Sequence, residues 1–167
     1  MKNSLFLFLL ALPLFLQTCT DAGCDCYPGY IGPDCTEQET PSHMTITKVE
    51  LISLPYRTTF EDWDMTNGAD IYPSLSLANT KIWESPSQYE NAERGLKYEF
   101  IPNPVILIIE PLSKYSISLY DRDEFDPDDL MGEINFTPYS STGGFPVTKT
   151  IEDLSGLSFR LTFTYLF

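Results

Sequence analysis

The sequence predicts an all-β protein, and three observations carry that prediction. From Met44 onward the apolar residues recur in short alternating runs rather than at helical spacing. Pro, Gly and Asn punctuate these runs. The last run alternates Leu157, Phe159, Leu161, Phe163, Tyr165 and Phe167 with Ser158, Arg160, Thr162, Thr164 and Leu166, so one face is apolar, the other mostly polar, and the apolar face belongs in a core. Strands are predicted near Met44–Leu54, Ile71–Leu77, Thr80–Trp83, Lys97–Phe100, Val105–Ile109, Tyr115–Tyr120, Gly132–Thr137 and Leu157–Phe167. Eight short strands joined by turns fit an antiparallel two-sheet sandwich. The 14% aromatic content suits its interior, since Phe and Tyr are good strand residues.

Ahead of the sandwich, Met1 to Thr18 reads as a signal peptide: Lys2 is a small basic start and Leu5 to Leu16 an apolar run. Spanning a bilayer takes about 20 apolar residues, more than this run or any later one supplies. The segment ends Leu16-Gln17-Thr18-Cys19, which resembles a bacterial lipobox, although Gln17 and Thr18 are larger than the residues that motif prefers. The resemblance implies lipidation of Cys19 and an exported protein anchored in the bacterial cell envelope, at the outer membrane. Each buried methylene of an acyl chain contributes about 0.8 kcal/mol to such an anchor.

All four cysteines fall between Cys19 and Cys35, and export permits disulfides there. Cys24-Asp25-Cys26 followed by Gly29-Tyr30-Ile31-Gly32 and Cys35 resembles the C-terminal half of an EGF-like module, which implies a Cys26–Cys35 pair. A lipidated Cys19 leaves Cys24 without an intrachain partner, whereas an unlipidated Cys19 allows a Cys19–Cys24 pair. Thr36 to Ser42 reads as a polar linker. The expected organisation is therefore a signal peptide (1–18), a cysteine-rich neck and linker (19–42) read as a short rigid stalk, and the sandwich (43–167).

Asp and Glu number 24 against 10 Lys and Arg, a net charge of −14 that disfavours nucleic acid as a partner. The acids are unevenly placed: residues 61–70 and 121–129 hold ten of the 24, with Arg122 as the only base among them. Each window lies where a predicted strand meets a loop. Carboxylates brought to about 4 Å repel by roughly 4 kcal/mol per pair at an effective dielectric of 20, so convergence calls for a cation. An all-oxygen set suits calcium better than the stricter magnesium octahedron.

The two windows carry a family resemblance. Asp64, followed by Asp70-Ile71-Tyr72, and Tyr120-Asp121-Arg122-Asp123-Glu124-Phe125 through Asp129-Leu130-Met131-Gly132-Glu133, resemble the first and third calcium loops of C2 domains. The resemblance implies an eight-stranded antiparallel C2-type sandwich with calcium held by Asp64, Asp70, Asp121, Asp123 and Asp129, and Asp126 as a further oxygen donor. The usual Ser-Asp-Pro-Tyr is here Ala69-Asp70-Ile71-Tyr72 with proline displaced to position 73, which puts the aim of the Asp70 carboxylate in question. An EF-hand does not fit, because Phe125 and Asp126 stand where its fifth ligand and turn glycine belong.

Two functions follow from the resemblance. One is a calcium-stabilised surface module that binds a protein or glycan partner. The other is calcium-dependent docking on phospholipid headgroups, with Met65 and Phe125 as apolar loop tips. Enzymatic activity is not expected, since His43 is the only histidine and no cysteine lies in the sandwich. Asn135-Phe136-Thr137 matches a glycosylation acceptor pattern but falls in a predicted strand.

Overall fold

A computed structural model describes residues 26–56, 68–124 and 126–167. Cys19 and Cys24 lie outside these residues, as do Asp64, Met65 and Phe125. A two-stranded ribbon, β1 (Tyr30–Ile31) with β2 (Glu37–Gln38), precedes two larger sheets. The first sheet orders β10 (Asp129–Phe136), β9 (Tyr115–Asp121), β4 (Ala69–Leu77) and β5 (Thr80–Glu84), with β6 (Tyr89–Ala92) also on β4. The second orders β11 (Thr148–Glu152), β12 (Ser158–Leu166), β3 (His43–Ser53) and β7 (Tyr98–Phe100), with β8 (Ile106–Ile108) also on β3. Every pairing is antiparallel.

Among the described residues the two sheets thus hold ten strands rather than the eight expected. The difference comes from two broken margins. β5 and β6 lie end to end along β4, and β8 and β7 end to end along β3, so eight strand positions are filled. Pro73 explains the first break. It falls between the β4 residues that pair with β5 and with β6, so its missing N–H faces the gap, while its carbonyl accepts the Ser85 N–H at 2.9 Å. Strands β6 and β11 are not among the expected ones. Their sequences, Tyr-Glu-Asn-Ala and Thr-Lys-Thr-Ile-Glu, are mostly polar because both lie at sheet margins.

The inner faces meet in one core. Ile71, Leu75, Ile117, Leu119 and Ile134 come from the first sheet; Ile46, Leu51, Phe100, Phe159, Leu161 and Phe163 come from the second. The alternation in the last strand is kept, with Phe159, Leu161 and Phe163 buried. At one margin the Tyr89 ring closes the sandwich, 5.0 Å from Tyr98 and 5.2 Å from Phe100, while its hydroxyl donates to the Glu99 carbonyl at 2.8 Å.

The neck is docked and does not stand off as a stalk. Cys26 and Cys35 form the disulfide that the EGF-like resemblance implied. Phe145 gathers Tyr30, Tyr139, Tyr165 and Phe167 around it at centroid distances of 5.4, 5.7, 5.4 and 4.9 Å. The segment expected to be a linker contributes β2 and is tied down by polar contacts. Tyr139 Oη donates to the Glu39 carbonyl at 3.2 Å, and the Gly144 N–H to the Gln38 side-chain oxygen at 3.1 Å. Gly29 permits the approach: its φ is +87°, and a Cβ there would lie 2.5 Å from the Phe167 ring.

Phe159 is fully buried at the centre of the second sheet. Phe159→Ala is expected to cost about 3–5 kcal/mol of unfolding free energy, read by chemical denaturation.

Candidate functional site

Strand register brings three of the acidic positions to one pole. β4 begins at Ala69-Asp70, β9 ends at Tyr120-Asp121 and β10 begins at Asp129, so three neighbouring strands share an end. Asp121 stands opposite Ile71 on β4 and opposite Asp129 on β10. Asp129 therefore opens a strand rather than sitting in the preceding loop. Just beyond it, the register shifts between Leu130 and Gly132, a bulge that bends the strand where the loop joins it.

Asp121 is 1% exposed, an unusual place for a carboxylate. Its Oδ1 accepts the Asp70 N–H at 2.6 Å, and the Arg122 N–H donates to the Asp70 carbonyl at 2.9 Å. These two bonds hold β4 to β9 at the acidic end. The carboxylate of Asp70 is itself engaged laterally, with Oδ1 accepting the Asn91 N–H of β6 at 2.9 Å. Asn91 adopts a φ of +54°, beside a register irregularity between Ala69 and Ile71. Asp123 is half-buried, and Asp126 and Asp129 are exposed.

Among the described residues, no three His, Cys, Asp or Glu side chains are grouped closely enough to hold a metal ion. Asp64 of the first loop lies outside them. The donors at this pole are carboxylate oxygens without sulfur or imidazole, a chemistry that fits a hard cation such as calcium.

A carboxylate not singled out in the sequence, Asp128, organises the second loop. Tyr72 Oη donates to its Oδ2, and the Asp123 N–H donates to its Oδ1 at 3.3 Å. Arg122 supplies the countercharge: its Nε lies 4.0 Å from Asp128 Oδ2, and its far end reaches Glu84 at 3.7 Å. The guanidinium sits 4.2 Å above the Tyr72 ring, which stacks on Tyr120 at 5.5 Å. Arg122 as the only base in the two acidic windows is the available signal, because a lone cation among acids implies a specific partner. Burial and donation to Asp128 push the Tyr72 hydroxyl up to about 12.

Tyr72→Phe removes a hydrogen bond to a charged acceptor and is expected to cost about 1.5–3 kcal/mol. A raised tyrosine pKa means the folded state holds its proton more tightly. Its contribution is complete below the ordinary value of about 10 and is lost as pH rises through about 12. Denaturant curves for both proteins should therefore converge between those pH values.

No family model matches the sequence, and no curated protein matches it. Solved structures do. One described as a C2 domain aligns with a TM-score of 0.51 at 14% identity, covering 75% of this chain and 98% of that one. Human GIVD cytosolic phospholipase A2, in complex with methyl γ-linolenyl fluorophosphonate and terbium chloride, aligns at 0.49 and 18% identity, covering 76% of this chain and 18% of that one. A fragment of extended-synaptotagmin 2, holding its SMP domain and two C2 domains, aligns at 0.47 and 17% identity, covering 75% of this chain and 28% of that one. At these identities the likeness is one of fold, and the chain has the antiparallel β-sandwich fold of a C2 domain.

Proposed function

We propose that this protein is an exported, lipid-anchored surface module whose acidic pole binds calcium through Asp64, Asp70, Asp121, Asp123 and Asp129, with Asp126 as an additional donor. The calcium-set loops then present a binding surface to a protein or glycan partner. The protein carries out no catalysis in this reading.

One observation supports this reading over docking on the anchoring membrane: the neck and the acidic ends of β4, β9 and β10 occupy opposite poles. Leu166 pairs with His43 and Ser158 with Ser53, so the end of β12 that meets the neck is remote from the end nearest the acidic loops. Gly132, beside the acidic end of β10, lies against Leu157 at the start of β12. A nine-residue strand such as β12 is about 27 Å long. Cys19 precedes Cys26 by seven residues, and such a tether reaches about 25 Å at most. A chain held through Cys19 and standing on its neck would carry its acidic pole outward, away from the anchoring membrane. Calcium acting in this way adds stability without requiring Met65 or Phe125 to enter lipid.

Calorimetry and thermal melting test the metal. Calcium at a hundredfold excess over its dissociation constant is expected to add about 2.7 kcal/mol, and Asp121→Asn with Asp123→Asn to remove that response. Absence of heat and of any melting shift at millimolar calcium would reject calcium binding. The pole is tested with a Cys19→Ala protein and phosphatidylcholine–phosphatidylserine vesicles. Co-sedimentation is expected to be the same in calcium and in chelator, and a calcium-dependent increase would favour lipid docking instead.

A further inference from the structure

Strands at sheet margins expose unpaired backbone groups, and charged side chains along them discourage pairing with another chain. β5 carries Lys81 and Glu84, β6 carries Glu90, β10 carries Asp129 and Glu133, and β11 carries Lys149 and Glu152. β7 carries Glu99, whose carbonyl accepts the Tyr89 hydroxyl. The segment through β8 is different. Val105-Ile106-Leu107-Ile108-Ile109 holds neither a charge nor a proline, and among the described residues β8 pairs with β3 alone. Ile106 and Ile108 enter the core, which leaves Val105, Leu107 and Ile109 on the outer side, with Leu107 52% and Ile109 61% exposed. Ile101 and Leu112 are exposed at its flanks.

We propose that this edge is a homodimer interface, in which β8 of a second copy pairs antiparallel about a two-fold axis at Leu107. The segment is complementary to its own reverse. Val105 then faces Ile109, a pair of β-branched side chains, and Leu107 faces its own counterpart. A net charge of −14 opposes self-association over most of the surface. The paired segment adds nothing to that repulsion, because this register sets Glu110 opposite Pro104 and brings no like charges face to face. Pro104 and Pro111 bound the pairing on both sides, so it closes as a dimer rather than extending as a ladder. The five aliphatic residues, each about half exposed, offer on the order of 450 Å² of apolar surface, within the range of the largest patches on monomers. This is about half of the roughly 800 Å² per partner of a standard interface, the size of a weak dimer.

Oxidative cross-linking of the full chain in its own membrane tests the interface. At the two-fold axis, paired Cβ atoms lie about 4.5–5.5 Å apart, close to disulfide reach. Leu107→Cys is expected to yield a covalent dimer well above wild type and above Thr150→Cys, an exposed position on β11. Adding Ile109→Lys to Leu107→Cys should lower the yield by at least about tenfold while leaving the melting temperature unchanged, since Ile109 is exposed. No dimer from Leu107→Cys, equal yields from Leu107→Cys and Thr150→Cys, or a yield indifferent to Ile109→Lys would each overturn the proposal. So would a monomer that binds neutral phosphatidylcholine vesicles and loses that binding with Ile109→Lys, because the patch would then be a lipid contact.

Discussion

A buried carboxylate at the end of a central strand sets the terms for this molecule. Asp121 closes β9 between β4 and β10, and its 1% exposure keeps its carboxylate out of bulk solvent. Its bond from the Asp70 N–H ties the first acidic segment to the second. The neighbouring acids repel one another, so the loop around them needs internal countercharge as well as any cation it recruits. Arg122 supplies it, stacked on Tyr72 and directed toward Asp128 and Glu84. The Tyr72 hydroxyl and the Asp123 N–H both donate to Asp128, which leaves that carboxylate shaping the loop.

The opposite pole is organised by apolar contact. Phe145 takes rings from the neck, from the Tyr139 segment and from the end of the last strand, and Gly29 lets the neck backbone lie against Phe167. The small disulfide loop alone could not bury much surface; docking on the sandwich gives it a core to share. The result is a molecule with an aromatic pole at its N-terminal neck and an acidic pole at the far end.

Most of the sandwich is legible in the sequence because its inner strands alternate strongly. Phe159, Leu161 and Phe163 are buried as their alternation indicates, and so are Tyr115, Ile117 and Leu119, whereas β4 is buried without a break from Ile71 to Leu75. β6 and β11 escape notice because a marginal strand buries little: Ile151 is the sole buried residue in β11. Thr36 to Ser42 looks like a linker because many of its contacts run through backbone groups and the polar side chains of Gln38 and Ser42, which leave no hydrophobic pattern. The Cys26–Cys35 bridge is implied by a resemblance in spacing, and the structure contains it.

The all-β class, the two acidic windows and the departure at Ile71 and Pro73 can be read from the chain unaided, since composition and period-two alternation are local properties. Which carboxylates meet is settled by the folded arrangement. Asp121 and Asp129 become backbone register partners, one buried and one exposed, Asp70 turns its carboxylate to Asn91, and Asp128 receives Tyr72. Register and loop path depend on partners distant in the chain: Tyr72 and Asp128 are 56 residues apart. No local pattern encodes such a meeting, because it follows from how β4, β9 and β10 pack side by side.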